Sequence, residues 1–126
     1  MRIYVAATRQ NDGKTIVSMG LIAAAKKIFN SVGYIKPVGQ QYKEVNGEKI
    51  DKDAILMKEV YNIRSFLSEM SPIAVPSGFT RKYVESGKPK PLEDKIKKAY
   101  REVSKDKDFV LIEGTGHAGV GSVFDL

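Results

Sequence analysis

The chain has 126 residues, 42% hydrophobic and 29% charged, with a formal charge of +6 at neutral pH. That length suits one domain, in which roughly two-thirds of the unfolded surface is buried, and the composition excludes a disordered, collagen-like or low-complexity chain. The absence of cysteine excludes disulfides and thiolate metal sites and fits a reducing, cytoplasmic setting, and no apolar run approaches the ~20 residues of a membrane span.

In chain order, residues 2–7 (RIYVAA) form a continuous apolar, β-prone run, the pattern of a strand covered on both faces. The run is too short for a secretory leader. Residues 14–30 (KTIVSMGLIAAAKKIFN) read as a helix, with Val17, Leu21, Ala24 and Ile28 at helical spacing, Lys26 and Lys27 in its last turns and Gly33 just beyond. Residues 33–38 (GYIKPV) are a second strand that Pro37 ends or places at an edge. Residues 39–50 are polar and read as a loop. From Asp51 the pattern turns helical, with Ile55, Leu56, Val60 and Tyr61 as its apolar face.

PIAVP (72–76) is a third strand, and residues 92–105 are an amphipathic helix carried by Leu92, Ile96, Ala99, Tyr100 and Val103. DFVLIEG (108–114) is a fourth strand of buried character, followed by a glycine-rich stretch. This alternation predicts an α/β fold, a parallel sheet flanked by helices in three layers. The lysines gather late, at Lys88, Lys90, Lys95, Lys97, Lys98, Lys105 and Lys107, interleaved with Glu93, Asp94, Glu102 and Asp106 and without an aromatic ladder. That reads as a solvated helix face and not a nucleic-acid surface. A four-stranded open sheet leaves apolar edges to cover, so the reading expects a single nucleotide-binding domain, 1–126, that is the N-terminal part of a longer one or has a partner chain at that edge.

A first strand that runs into Gly13-Lys14-Thr15 and then a helix is the context of a phosphate-binding loop. Backbone N–H groups and the positive end of the helix cradle phosphates, the lysine reaches the outer phosphates, and the threonine hydroxyl ligates Mg²⁺. Lys36 has two readings: a snorkelling lysine on an edge strand, or a second cation aimed at the phosphates from the carboxyl edge of the sheet. Asp51 and Asp53 begin a helix, where capping is the default, and Asp53 can instead turn toward a metal held by Thr15. Glu113 ends an apolar strand before Gly114, where a carboxylate can complete the oxygen shell of Mg²⁺. Glycines 114, 116, 119 and 121 allow close approach of a ligand. His117 is the only histidine, too isolated to argue a metal site and as readily structural as catalytic.

Together these residues resemble the dethiobiotin synthetase-like P-loop NTPases, whose loop has the form GTxTxxGKT. Ala7 stands at the first glycine, Thr8 at the threonine, and Gly13-Lys14-Thr15 at the end. The GYKPV-type strand of that family resembles Gly33–Val38, its helix aspartate matches Asp53, and its VEGAGG turn matches residues 112–116. The resemblance implies ATP held by Thr8, Asn11, Asp12, Gly13, Lys14, Thr15 and Ile16, and Mg²⁺ held by Thr15, Asp53 and Glu113. It makes Lys14 and Lys36 the catalytic cations, and it places a small-molecule acceptor near Gln40, Gly116 and His117. It further implies a homodimer, and ATP-driven closure of a carbamate through a phosphorylated anhydride.

The acceptor side departs from the pattern at Gly39-Gln40-Gln41-Tyr42, at Pro72–Glu85 and after Glu113. These stretches are more similar to the dethiobiotin-synthetase-like N-terminal domain of phosphotransacetylases and to relatives of cobyrinic acid a,c-diamide synthase. Two readings stand: an ATP-dependent ligase acting on a small carboxylate or carbamate, and a non-catalytic nucleotide-sensing domain. A partitioning-type ATPase is disfavoured, because Ala6, Ala7 and Thr8 stand where those proteins carry an additional lysine.

Overall fold

The computed structural model of the protein describes residues 1–7, 13–76 and 90–115. Strand β1 (Arg2–Val5) leads toward helix α1 (Lys14–Ile28), and β2 (Val32–Ile35) returns to the sheet. After Lys36 and Pro37 come β3 (Val38–Gly39), the hairpin β4 (Tyr42–Val45) and β5 (Glu48–Asp51), then helix α2 (Lys52–Tyr61). A single turn α3 (Leu67–Met70), strand β6 (Ile73–Ala74), helix α4 (Lys90–Ser104) and β7 (Phe109–Glu113) complete the described chain.

The main sheet is parallel in the order β1–β7–β2, so the last strand in sequence lies at its centre. β7 is the continuous apolar run FVLIE, as a strand with neighbours on both edges and helices on both faces requires. The third strand changes partner part-way. β2 pairs with β7 through Ile35, whereas β3 pairs with β6 on residues 38 and 39. Between them Pro37 has no N–H to give, and the Lys36 N–H donates to the Met70 carbonyl at 2.8 Å.

Side chains alternate across the sheet. The register puts Ile3, Val5, Leu111, Glu113, Tyr34 and Lys36 on one face, toward α1 and α2. The opposite face meets α4. There Gly33 lies so close that an added Cβ would stand 3.0 Å from the Val103 carbonyl, and the Arg2 guanidinium sits 5.3 Å from the Tyr100 ring centre. This is an α/β fold with a parallel sheet between helices, in three layers, as the alternation predicted.

α4 buries the face read from its sequence, with Ala99 and Val103 inside and the lysines at 90, 95, 97 and 98 exposed. α1 does not. Its buried row is Lys14, Ser18, Ile22 and Ala25, while Val17 and Ile28 are 53% and 76% exposed and Ala24 is also outside. Its apolar residues surround the helix, so spacing alone chose the wrong row. Two polar members of the true row, Lys14 and Ser18, hid it.

α2 is similar: Ala54 and Met57 are inside, whereas Leu56 and Val60 are exposed. Residues 39–50 are not a loop but contain the β4–β5 hairpin, turned by Asn46 and Gly47 at φ 51° and 81°. Asn-Gly with both residues left-handed is the pair that a tight two-residue hairpin turn selects. That signal was present and unread. Among the described residues no helix is long and apolar enough to cross a membrane.

Candidate functional site

The site lies where α1 begins, at the carboxyl edge of β7 and β2. Gly13 takes a left-handed conformation (φ 85°) at the helix start, which L side chains rarely adopt, although nothing within 4 Å would block a Cβ. Its carbonyl accepts the first helical bond, from Val17 N–H at 3.0 Å. Gly13 brings no capping side chain and no acid stands in the first turn, so the amides and the dipole of this end suit an external anion. Lys14 is buried (8% exposed), Thr15 is half-buried, and Ile16 is 76% exposed.

Three further elements converge on one ammonium, that of Lys36 just after β2. Lys36 Nζ lies 2.6 Å from Asp53 Oδ2, 3.4 Å from Asp51 Oδ1 and 3.9 Å from Glu113 Oε1. Its side chain is only 10% exposed, and those of Asp51 and Glu113 only 1%. Thr15 Oγ1 makes a long 3.4 Å contact to the same Glu113 Oε1. The other carboxylate oxygen of Glu113 accepts from the Tyr34 hydroxyl at 2.7 Å. Lys36 is thus no snorkelling edge lysine; it is the buried hub of three carboxylates.

Asp51 has three tasks. Its Oδ1 caps α2 by accepting from Asp53 N–H at 2.8 Å, and the same oxygen faces Lys36. Its own N–H donates to Ser71 Oγ at 2.9 Å. Its carboxylate rests on Gly39, where a Cβ would meet Oδ2 at 2.2 Å. Oδ2 is buried without a hydrogen-bond partner among the described residues.

Burial raises the Asp51 and Glu113 carboxyls above the usual carboxylate range, and the attraction of Lys36 only partly offsets it. For Lys36, burial alone would lower the ammonium. Asp51, Asp53 and Glu113 outweigh it and hold the ammonium above its ordinary value. Tyr34, fully enclosed and beside Glu113, stays a phenol well above its ordinary range, first by burial and then by the Glu113 charge.

Lys14, Thr15, Lys36, Asp53 and Glu113 therefore lie in or beside one region. Gln40 follows Gly39 and is half-buried, and its side chain is outside the cluster's hydrogen bonds and ion pairs. Thr8, Asn11, Asp12, Gly116 and His117 lie outside the described residues. Two members were missed as site residues. Tyr34 is two positions before Lys36 on a strand, hence on the same face, and Asp51 does more than cap.

The chemistry of the oxygen donors suits Mg²⁺: one hydroxyl and carboxylates. Among the described residues, however, no three His, Cys, Asp or Glu side chains are placed to hold a metal by themselves.

The family model described as AAA domain (AAA_26) matches residues 1–125. The chain belongs to this family, and with it to the dethiobiotin synthetase-like P-loop NTPases. It is 31% identical over 119 residues to the ATP-dependent dethiobiotin synthetase of Methanocaldococcus jannaschii, covering 90% of this chain and 52% of that protein. The Aquifex aeolicus dethiobiotin synthetase is 30% identical, with 95% of this chain and 52% of that protein covered. A phosphate acetyltransferase of Synechocystis is 25% identical over 98% of this chain and 17% of its own length. The chain thus spans about half the length of the dethiobiotin synthetases it matches.

Proposed function

We propose that this domain binds Mg-ATP at the start of α1 and serves an ATP-dependent ligase of the dethiobiotin synthetase kind, which passes a phosphoryl group to a small carboxylate or carbamate. The observation that carries this reading is the convergence of Thr15, Lys36, Asp53 and Glu113, from α1, the end of β2, α2 and β7, beside a helix N-terminus whose N-cap glycine has no capping side chain.

In this reading the amides from Gly13 onward hold the phosphates and Lys14 neutralises the outer ones. Thr15, Asp53 and Glu113 would hold Mg²⁺, which supplies charge neutralisation at the β- and γ-phosphates. Tyr34 fixes one oxygen of Glu113 so that the other faces Thr15 and Lys36. An acceptor oxygen bonds to the γ-phosphorus as the bridge to ADP breaks, giving a mixed anhydride that an amine opens with release of phosphate. Such transfer asks the protein mostly for positioning and positive charge. Lys36 supplies that charge at the acceptor side, where Gln40, Gly116 and His117 are the candidate contacts.

Calorimetric titration with Mg-ATP tests the site. The native protein should bind, and Lys14→Ala should lose most of the affinity. Equal binding by both would overturn the reading. Turnover of ATP that depends on an added amine acceptor and bicarbonate tests the ligase chemistry.

A further inference from the structure

Lys36 holds the position in which its surroundings want a cation. Its ammonium contacts carboxylates from β5, α2 and β7 at 3.4, 2.6 and 3.9 Å, and the residue is only 8% exposed. Three carboxylates thus surround this ammonium in a poorly hydrated place. Such a place strengthens both attraction to a cation and repulsion between cations.

The same oxygens that would ligate a divalent ion are committed to Lys36. Asp53 Oδ2 accepts from it, and Glu113 Oε1 faces both it and Thr15. A free metal ion arriving alone must displace the ammonium from these oxygens. A nucleotide changes this balance, because its phosphate oxygens both ligate the metal and receive the displaced ammonium. The move needs only the side chain, since the Lys36 backbone is tied to Met70 and followed by Pro37.

We propose that Lys36 is the resident counter-ion of this site in the nucleotide-free protein, so that the site refuses a free divalent cation and accepts one only together with a polyphosphate that takes over the ammonium. The proposal rests on the Mg-ATP reading. It adds an order of assembly, in which metal enters with nucleotide and its entry releases Lys36 toward the phosphates.

The test is titration of Mn²⁺ without nucleotide, read by the electron paramagnetic resonance of unbound Mn²⁺. Lys36→Gln should bind Mn²⁺ about tenfold more tightly than the native protein, or better, because removing a positive charge a few ångströms from the carboxylates removes the main repulsion. Lys36→Arg, which keeps the charge, should bind as weakly as the native protein. Equal affinity of Lys36→Gln and native protein would overturn the proposal, as would Lys36→Arg binding as tightly as Lys36→Gln. If Lys36→Gln is unfolded without metal, the counter-ion role requires Mn²⁺ to refold it, and failure to do so overturns the role. Mg-ATP binding by the native protein, measured in parallel, decides the nucleotide site separately: its absence removes that reading whatever Mn²⁺ does.

Discussion

Two lysines of this chain, one buried and one on an open helix face, stand beside acids whose carboxyls shift in opposite directions. Lys36 lies 3.4 Å from Asp51 and 3.9 Å from Glu113, and Lys97 meets Glu93 one helical turn away at 2.7 Å. On the open face of α4, the hydrogen bond from Lys97 lowers the Glu93 carboxyl and Glu93 raises the Lys97 ammonium, as partners in water do. Beneath α1 and α2 the acids go the other way. Asp51 and Glu113 rise, because burial outweighs the attraction of Lys36. A neighbouring cation therefore does not by itself set the direction of an acid's shift; burial can outweigh it.

The sharpest way to break the comparison is to remove each lysine in turn. Lys36→Gln should lower unfolding free energy in urea by about 3 kcal/mol or more, since it strands buried carboxylates. Lys97→Gln should leave the urea midpoint unchanged within error. A comparable loss from both would show that burial does not separate them.

Gly39→Ala attacks the same cluster from its floor. The new methyl would overlap the Asp51 carboxylate, with an expected cost of about 3 kcal/mol, the upper end for overpacking. Thermal unfolding checks it, and a native-like melting temperature would mean that Asp51 is free to move aside. Tyr34→Phe removes only the hydroxyl that holds Glu113. It should cost about 2 kcal/mol, because a buried charged acceptor loses its donor, and the readout is again urea unfolding.

The smallest effect is a matter of slope. The folded-state pKa of Asp51 is raised, so its contribution is most favourable below the ordinary carboxylate range and is lost as pH rises through the raised value. Asp51→Asn keeps a good helix cap but has no such loss. Its stability relative to the native protein should therefore climb as pH rises from about 4 toward neutrality, and a flat difference across that range would contradict the raised pKa. Lys36 works at the other end. Its contribution persists below its ordinary pKa and disappears only when strong alkali passes the raised one.

Much of this was legible in the sequence, for physical reasons that also explain the misses. The layers follow from alternating periodicities, and β7 shows as a central strand because it is apolar on both faces. Thr15 and Glu113 were readable as candidates from their places at element boundaries on the carboxyl side, whereas Lys36 and Asp53 each kept a plain local reading beside the site role, which only the resemblance favoured. The inner face of α1 was not. A helix whose outer side carries Ile16, Val17 and Ile28 gives periodicity no contrast to work with. Tyr34 and Asp51 escaped for a different reason: a strand tyrosine and a helix-capping acid each have an adequate local explanation. Their second role exists only once β2, β5 and β7 are brought side by side.

The hairpin between β3 and α2 has a practical consequence. Its turn, Asn46-Gly47, is exposed and closes on itself, while its far end delivers Asp51 into the cluster through the Lys52 N–H to Gln41 carbonyl bond and the Tyr42–Asp51 pairing. Residues at the tip can be exchanged or lengthened while the pairs nearest the site hold the register. The tip is thus a natural point of attachment for a fluorophore or an affinity handle, tethered to the floor of the site by two short strands and in contact with none of its charges.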